Sequence, residues 1–113
     1  MRHDSVVITG SSGTVGTALA DALLERGYDV AGVDTVANRW LDHVDERTVT
    51  ADITDSEAFD DLPDSPDLVV HLAAKPRGHK LVQNPALAKE NFDNTFNVLE
   101  YAREACAALL FST

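Results

Sequence analysis

Short runs of branched apolar residues alternate along this chain with longer stretches in which apolar positions recur every three or four residues. Ser5–Thr9 (Ser-Val-Val-Ile-Thr) is short and β-branched, as a strand covered on both faces should be. From Thr14 to about Arg26, apolar side chains fall at Val15, Ala18, Leu19, Ala22 and Leu23, one stripe of an amphipathic helix. Gly27 stands where such a helix would be capped. Asp29–Val33 reads as a second strand ending at Asp34, and Val36–Glu46 as polar and irregular, with Trp40 and Leu41 as its apolar anchors. Thr48–Ala51 predicts a third strand. Ser56–Leu62, closed by Pro63, predicts a short helix with Asp55 or Ser56 as N-cap, and Asp64-Ser65-Pro66 a turn. The core of Asp67–Ala74 predicts a fourth strand, Pro85 opens a long helix to about Ala105, and Ala108–Ser112 predicts a fifth strand. On the long helix, Phe92, Phe96, Leu99 and Ala102, flanked by Val98 and Ala105, are expected to form the buried stripe, and Cys106 to be a small core residue. Alternating β and α elements of these lengths specify an α/β fold, a doubly wound parallel sheet.

Composition narrows the field. The 113 residues suffice for one domain and are few for a complete nucleotide-dependent enzyme. The formal net charge is −10, with thirteen aspartates against three lysines (Lys75, Lys80 and Lys89), which argues against nucleic acid or an anionic membrane as partner. The same excess suits a protein adapted to high salt, where the Debye length shrinks to roughly 3 Å at 1 M and self-repulsion is screened. Full stability at low ionic strength would count against that halophilic expectation. A single cysteine excludes an internal disulfide framework. No run reaches the ~18 apolar residues of a membrane span, and no secretory signal pattern opens the chain, so a cytoplasmic location is the expectation.

The chemistry concentrates in Thr9-Gly10-Ser11-Ser12-Gly13-Thr14-Val15-Gly16, between the first strand and the first helix. Glycines three apart at this junction form a phosphate cradle. Gly10 permits the tight turn, Gly13 lets a pyrophosphate approach bare backbone, and Gly16 allows the helix to pack closely. The helix adds free N–H groups and a partial positive charge. Asp34 lies 18 residues past Gly16, where such a unit places an acid on the adenosine ribose. A carboxylate there accepts from a 2′-OH and repels a 2′-phosphate, which favours NAD over NADP; Arg39 is close enough in sequence to act the other way. The bland reading of Asp34 is a loop acid in an Asp-rich chain. Asp52 suits the adenine amino group and Ile53 its ring face. Small residues at Ala73 and Ala74 leave room for a flat ligand at a strand end. His71, inside an apolar run, reads as a core histidine rather than a catalyst. The basic stretch Lys75–Asn84 reads either as a surface loop or as a loop near substrate or cofactor phosphates. Asn91 and Asn94 interrupt apolar helix faces. A buried asparagine needs partners, so Asn91 is a candidate to hold a backbone or cofactor group.

Taken together, the glycine loop, Asp34, Asp52-Ile53, His71-Leu72-Ala73-Ala74, Asn91 and the closing Phe111-Ser112-Thr113 resemble the extended short-chain dehydrogenase/reductase family, and within it the NAD-dependent epimerase/dehydratases of nucleotide sugars. The resemblance covers essentially the whole chain. It implies a Rossmann-like sheet of about five strands in the order 3-2-1-4-5. Gly10, Gly13 and Gly16 would bracket the pyrophosphate, lined by Ser12, Thr14 and Val15, and Asp34 would take the ribose. Asp52 and Ile53 would hold the adenine. Leu72, Ala73 and Ala74 would border the cofactor's ribose and phosphates, and Asn91 and Ser112 would lie on the nicotinamide side. No metal is implied.

One departure bears on function. The family removes the sugar hydroxyl proton with a Tyr-x-x-x-Lys pair, and neither tyrosine here fits: four residues after Tyr28 and Tyr101 stand Gly32 and Ala105. The expectation is therefore an N-terminal cofactor-binding segment, residues 1–113, of a longer enzyme whose catalytic pair and substrate lobe (about 150–200 residues) lie elsewhere. Alternatives are a sugar dehydrogenase of the same fold and a non-catalytic NAD(P)-binding sensor or interaction module. A methyltransferase-like fold is disfavoured by the glycine spacing and Asp52-Ile53. Self-association through Leu109, Leu110 and Phe111 on an edge strand is also expected.

Overall fold

A computed structural model describes residues 4–73 and 85–111. Five strands form one parallel sheet: β1 (Ser5–Thr9), β2 (Asp29–Asp34), β3 (Thr48–Thr50), β4 (Leu68–His71) and β5 (Ala108–Phe111). Their spatial order is β3-β2-β1-β4-β5, as the sequence implied. β1 lies at the centre, in register with β2 from Ser5↔Asp29 to Thr9↔Val33 and with β4 from Val6↔Leu68 to Thr9↔His71. The order reverses there, because the chain winds outward to β3 and then returns to the other side of β1.

The period-two geometry of a strand sends alternate side chains to opposite faces. Val7, Val33 and Val69 enter one core with Ile53, Ala58, Leu62, Val98 and Ala102. Val6, Ile8, Val30 and Val70 enter the other with Ala20 and Val44. Helices α1 (Thr14–Glu25) and α2 (Asp42–Asp45) cover the second face; a 3-10 helix (Ser56–Asp61) and α3 (Ala86–Ala105) cover the first. Asp55 caps the 3-10 helix by accepting from Glu57 N at 3.0 Å. Among the described residues, no helix is long and apolar enough to cross a membrane.

Four expectations are corrected. The stretch Val36–Glu46 is not wholly irregular, since it contains α2. Its anchor is not Trp40, which is 61% exposed; Leu41 packs on the core, and Asn38, 5% exposed, holds the loop. On α3 the inward stripe is Asn94, Val98 and Ala102, while Phe92, Phe96 and Leu99 face outward. Large apolar side chains outweigh small ones in a periodicity reading, yet the helix meets the sheet through its small and amide-bearing face. Cys106 is exposed and left-handed (φ 56°), because it ends α3 rather than filling the core.

Candidate functional site

The turn from β1 into α1 is built by contacts that leave little choice of residue. Gly10 has φ +76°, and a Cβ there would lie 2.8 Å from Ala73 N. A Cβ on Gly16 would lie 2.2 Å from Gly10 O, so Gly16 fits the helix beneath the loop itself. At Gly13 the nearest atom to such a Cβ is Gly10 O at 3.4 Å, which leaves the outer side of the loop open. Helix α1 starts at Thr14, and its first bond is donated by Thr17 N to Gly13 O (2.9 Å). The N–H groups of Thr14, Val15 and Gly16 are therefore not used by the helix. No side chain caps this end, and its first turn carries no acid. A helix start in this condition attracts an anion.

A second loop is clamped to the first. Asp34, at the end of β2, accepts from Ser12 N at 3.0 Å and from Val36 N at 3.2 Å. Ser12 Oγ donates to Val36 O at 2.8 Å. Asn38 Nδ2 donates to Ser11 O (3.1 Å) and Thr17 Oγ1 (2.8 Å), while its Oδ1 accepts from Trp40 N and Leu41 N. Gly32 makes room for Ser11, whose Oγ would lie 2.3 Å from any Cβ placed there.

On the β4 side, Thr9 Oγ1 accepts from Leu72 N (3.1 Å) and Ala73 N (3.2 Å). Both lone pairs are thereby engaged, so its own hydrogen goes to His71 Nδ1, 2.6 Å away. The imidazole proton then sits on Nε2, facing Thr95 Oγ1 at 3.4 Å. His71 is 8% exposed, and burial pushes its pKa below the ordinary 6.5. It is a neutral strut that ties β1, β4 and α3 beneath the cleft, as expected of a core histidine. Because the unfolded chain binds the proton more readily, stability is full above about pH 6.5 and falls as pH drops through the interval down to the folded-state pKa. The expected result is a decline in urea midpoint over that interval that is smaller in a His71→Leu variant. Equal declines would rule His71 out as the source.

At the carboxyl ends of the strands these pieces enclose a cavity of about 220 Å³. Gly10 and Gly13 line it from the glycine loop; Val33, Asp34 and Thr35 from the end of β2; Ala51, Asp52 and Ile53 from the end of β3; Leu72 and Ala73 from the end of β4; and Asn94 from α3. Asp52 Oδ1 accepts from Thr54 N (3.0 Å) and Thr54 Oγ1 (2.8 Å), shaping that rim. Asn97 Nδ2 donates to Ile53 O and Thr54 O (2.8 and 3.0 Å), which holds the rim to α3.

Of the residues singled out in the sequence, Gly10, Gly13, Asp34, Asp52, Ile53, Leu72 and Ala73 converge on this cavity. Ser12, Thr14, Val15, Gly16 and Asn91 are not among its lining. Ser12 is occupied with Val36, Gly16 lies under the loop, and Thr14 and Val15 stand exposed at the start of α1. Ala74, Ser112 and the Lys75–Asn84 stretch lie outside the described residues. The asparagine on the cavity is Asn94 rather than Asn91. Sequence reasoning also missed Asn38 and Gly32, whose roles depend on which loop lies beside them. For Asn94 a signal existed: asparagines at 91, 94 and 97 share one side of α3. Tyr101 is structural. Its hydroxyl donates to Pro63 O, its ring stacks on Phe59 (centroids 5.0 Å apart), and burial, aided by Asp64, pushes its pKa up to about 12.

The family model described as the NAD dependent epimerase/dehydratase family matches residues 6–113. A UDP-N-acetyl-alpha-D-glucosaminuronate decarboxylase of Bacillus cytotoxicus is 30% identical over 116 residues, covering 95% of this chain and 35% of that protein. A UDP-glucose 4-epimerase of Mycolicibacterium smegmatis is 33% identical, covering 92% and 34%. Among solved structures, the Thermotoga maritima UDP-glucose 4-epimerase with UDP-glucose superposes with a TM-score of 0.80 at 28% identity, covering 96% of this chain and 37% of that one. The Thermus thermophilus UDP-glucose 4-epimerase in complex with NAD gives 0.76 at 28% identity, covering 90% and 34%. The chain thus spans about a third of the length of the relatives it matches. With a family match over residues 6–113, this chain belongs to the NAD-dependent epimerase/dehydratase family.

Proposed function

We propose that this chain is the cofactor-binding N-terminal part of an enzyme that acts on a nucleotide sugar, with NAD lying across the carboxyl ends of the strands. The observation that carries this is the single cavity shared by Gly10, Gly13, Asp34, Asp52 and Ile53. The open face over Gly13 and the uncapped start of α1 suit a diphosphate. Asp34 would take the ribose hydroxyls, and Asp52 and Ile53 would meet the adenine. The ends of β4 and β5 would then be left to hold the nicotinamide side. When bound, NAD supplies a hydride acceptor that takes a hydride from a sugar carbon and can return it.

This chain's own part is to bind, orient and exclude water. Tyr101, held protonated against Pro63, is unsuited to abstract a hydroxyl proton. The reading therefore assigns proton transfer and sugar binding to segments outside residues 1–113. The same reading makes the protein a homo-oligomer. Phe92, Phe96 and Leu99 form an exposed apolar stripe on α3, and Leu110 and Phe111 are exposed on β5. A monodisperse monomer in light scattering would contradict that.

Isothermal titration with NAD, NADP and S-adenosylmethionine tests the cofactor. NAD is expected to bind, and S-adenosylmethionine to give no heat of binding. NADP is expected to bind at least about fivefold more weakly, because like charges ~4 Å apart cost roughly 1 to 4 kcal/mol between water and an effective dielectric of 20. Titrations showing no NAD binding would remove the reading.

A further inference from the structure

Asn94 is a buried amide that the fold itself does not satisfy. It is 4% exposed, yet its Oδ1 has no hydrogen-bond partner among the described residues. Neighbours on the same helix have partners: Thr95 Oγ1 meets His71, and Asn97 Nδ2 donates to Ile53 O and Thr54 O. A buried carbonyl oxygen without a donor destabilises a fold, and an apolar residue of similar size would avoid that penalty. Asn94 also lines the cavity together with Asp52 and Ile53. It lies one turn before Val98, which packs in the same cluster as Ile53. The unsatisfied group thus belongs to the wall where the base of a dinucleotide would lie.

We infer that Asn94 reads the adenine base, an assignment that rests on the dinucleotide reading above. An asparagine amide offers an acceptor and a donor side by side. Adenine offers the complement, an exocyclic amino group beside a ring nitrogen acceptor, and the two pair in a bidentate manner. Amide rotation about the Cβ–Cγ bond presents either end to the cavity, so no backbone movement is required. The pairing is with the N6/N7 edge of adenine; on that edge hypoxanthine presents two acceptors, O6 and N7, so one of them is left mispaired whichever way the amide is turned. Asn94 would therefore distinguish the two bases, while Asp34 and the glycine loop handle ribose and phosphate.

The test is the affinity of the whole chain for NAD and for nicotinamide hypoxanthine dinucleotide, before and after Asn94→Leu and Asn94→Ala. The unaltered chain is expected to prefer NAD by about tenfold or more, the scale of one mispaired buried group. In Asn94→Leu, NAD binding weakens about tenfold and the preference for NAD narrows by about fivefold or more, what remains being the share of Asp52. Thermal unfolding without ligand supplies an independent readout: Asn94→Leu melts at a higher temperature than the parent, because the unsatisfied amide is gone. An unchanged NAD preference in both variants, or equal weakening toward both dinucleotides, overturns the role of Asn94 and leaves the cleft assignment standing. Absence of NAD binding by the unaltered chain overturns the cleft assignment and this inference with it.

Discussion

Replacing Gly16 by alanine is expected to cost about 3 kcal/mol of stability, the upper end for overpacking, and at least tenfold in NAD affinity. The added Cβ would fall 2.2 Å from Gly10 O and 2.9 Å from Ser11 Cα. Both are backbone atoms of the glycine turn. Relief therefore requires lifting the loop away from α1, which tilts the open N–H groups at the helix start. Gly27→Ala is the matched control. Gly27 also needs unusual backbone freedom (φ +87°), but a Cβ there meets nothing within 4 Å. Its cost should be confined to left-handed strain, about 1 kcal/mol, with no effect on NAD. Urea unfolding and NAD titration of the two variants separate crowding from conformation. Equal losses in both would show that the space beneath the loop is not what Gly16 protects.

Asp34→Ala should lower NAD affinity about 100-fold, the scale expected when two charge-assisted hydrogen bonds are lost. The carboxylate has two tasks in this geometry. Its oxygens hold Ser12 N and Val36 N, which join the glycine loop to the loop after β2. It also lines the cavity, and on the proposed reading it would meet the ribose there. Removing it also removes the charge that repels a 2′-phosphate, so NADP should lose less than NAD and the two affinities should converge. Arg39, expected as a possible counterweight, does not line the cavity. A variant that binds NAD as tightly as the parent, or keeps the parent's preference over NADP, would show that Asp34 is only a loop acid.

How far residues alone reached can be traced element by element. The strands of the sheet centre were legible because Val6-Val7-Ile8 and Leu68-Val69-Val70 are too apolar for anything but burial on both faces. The glycine turn was legible because its spacing answers local requirements of a strand-to-helix junction, and Asp34 because it follows at a set interval at the end of the neighbouring strand. These are local demands, and a sequence records them directly.

The rest depended on what lies opposite. Phe92, Phe96 and Leu99 are the larger apolar residues of α3, yet the sheet is met by Val98, Ala102 and Asn94, because the helix sits against the mouth of a polar cavity as well as a core. Asn38 carries no local mark of importance, and its role arises only when the loop after β2 is folded against Ser11 and Thr17. Thr9 and His71 stand 62 residues apart and become one hydrogen-bonded unit only across the β1–β4 pairing. By itself, then, the sequence determined the strands, the α/β class and the glycine turn, since each is set by neighbours along the chain. Only the tertiary structure decided which face of α3 turns inward, which asparagine meets the cleft and how the two loops lock, since those follow from groups that are distant in sequence and must satisfy one another in space.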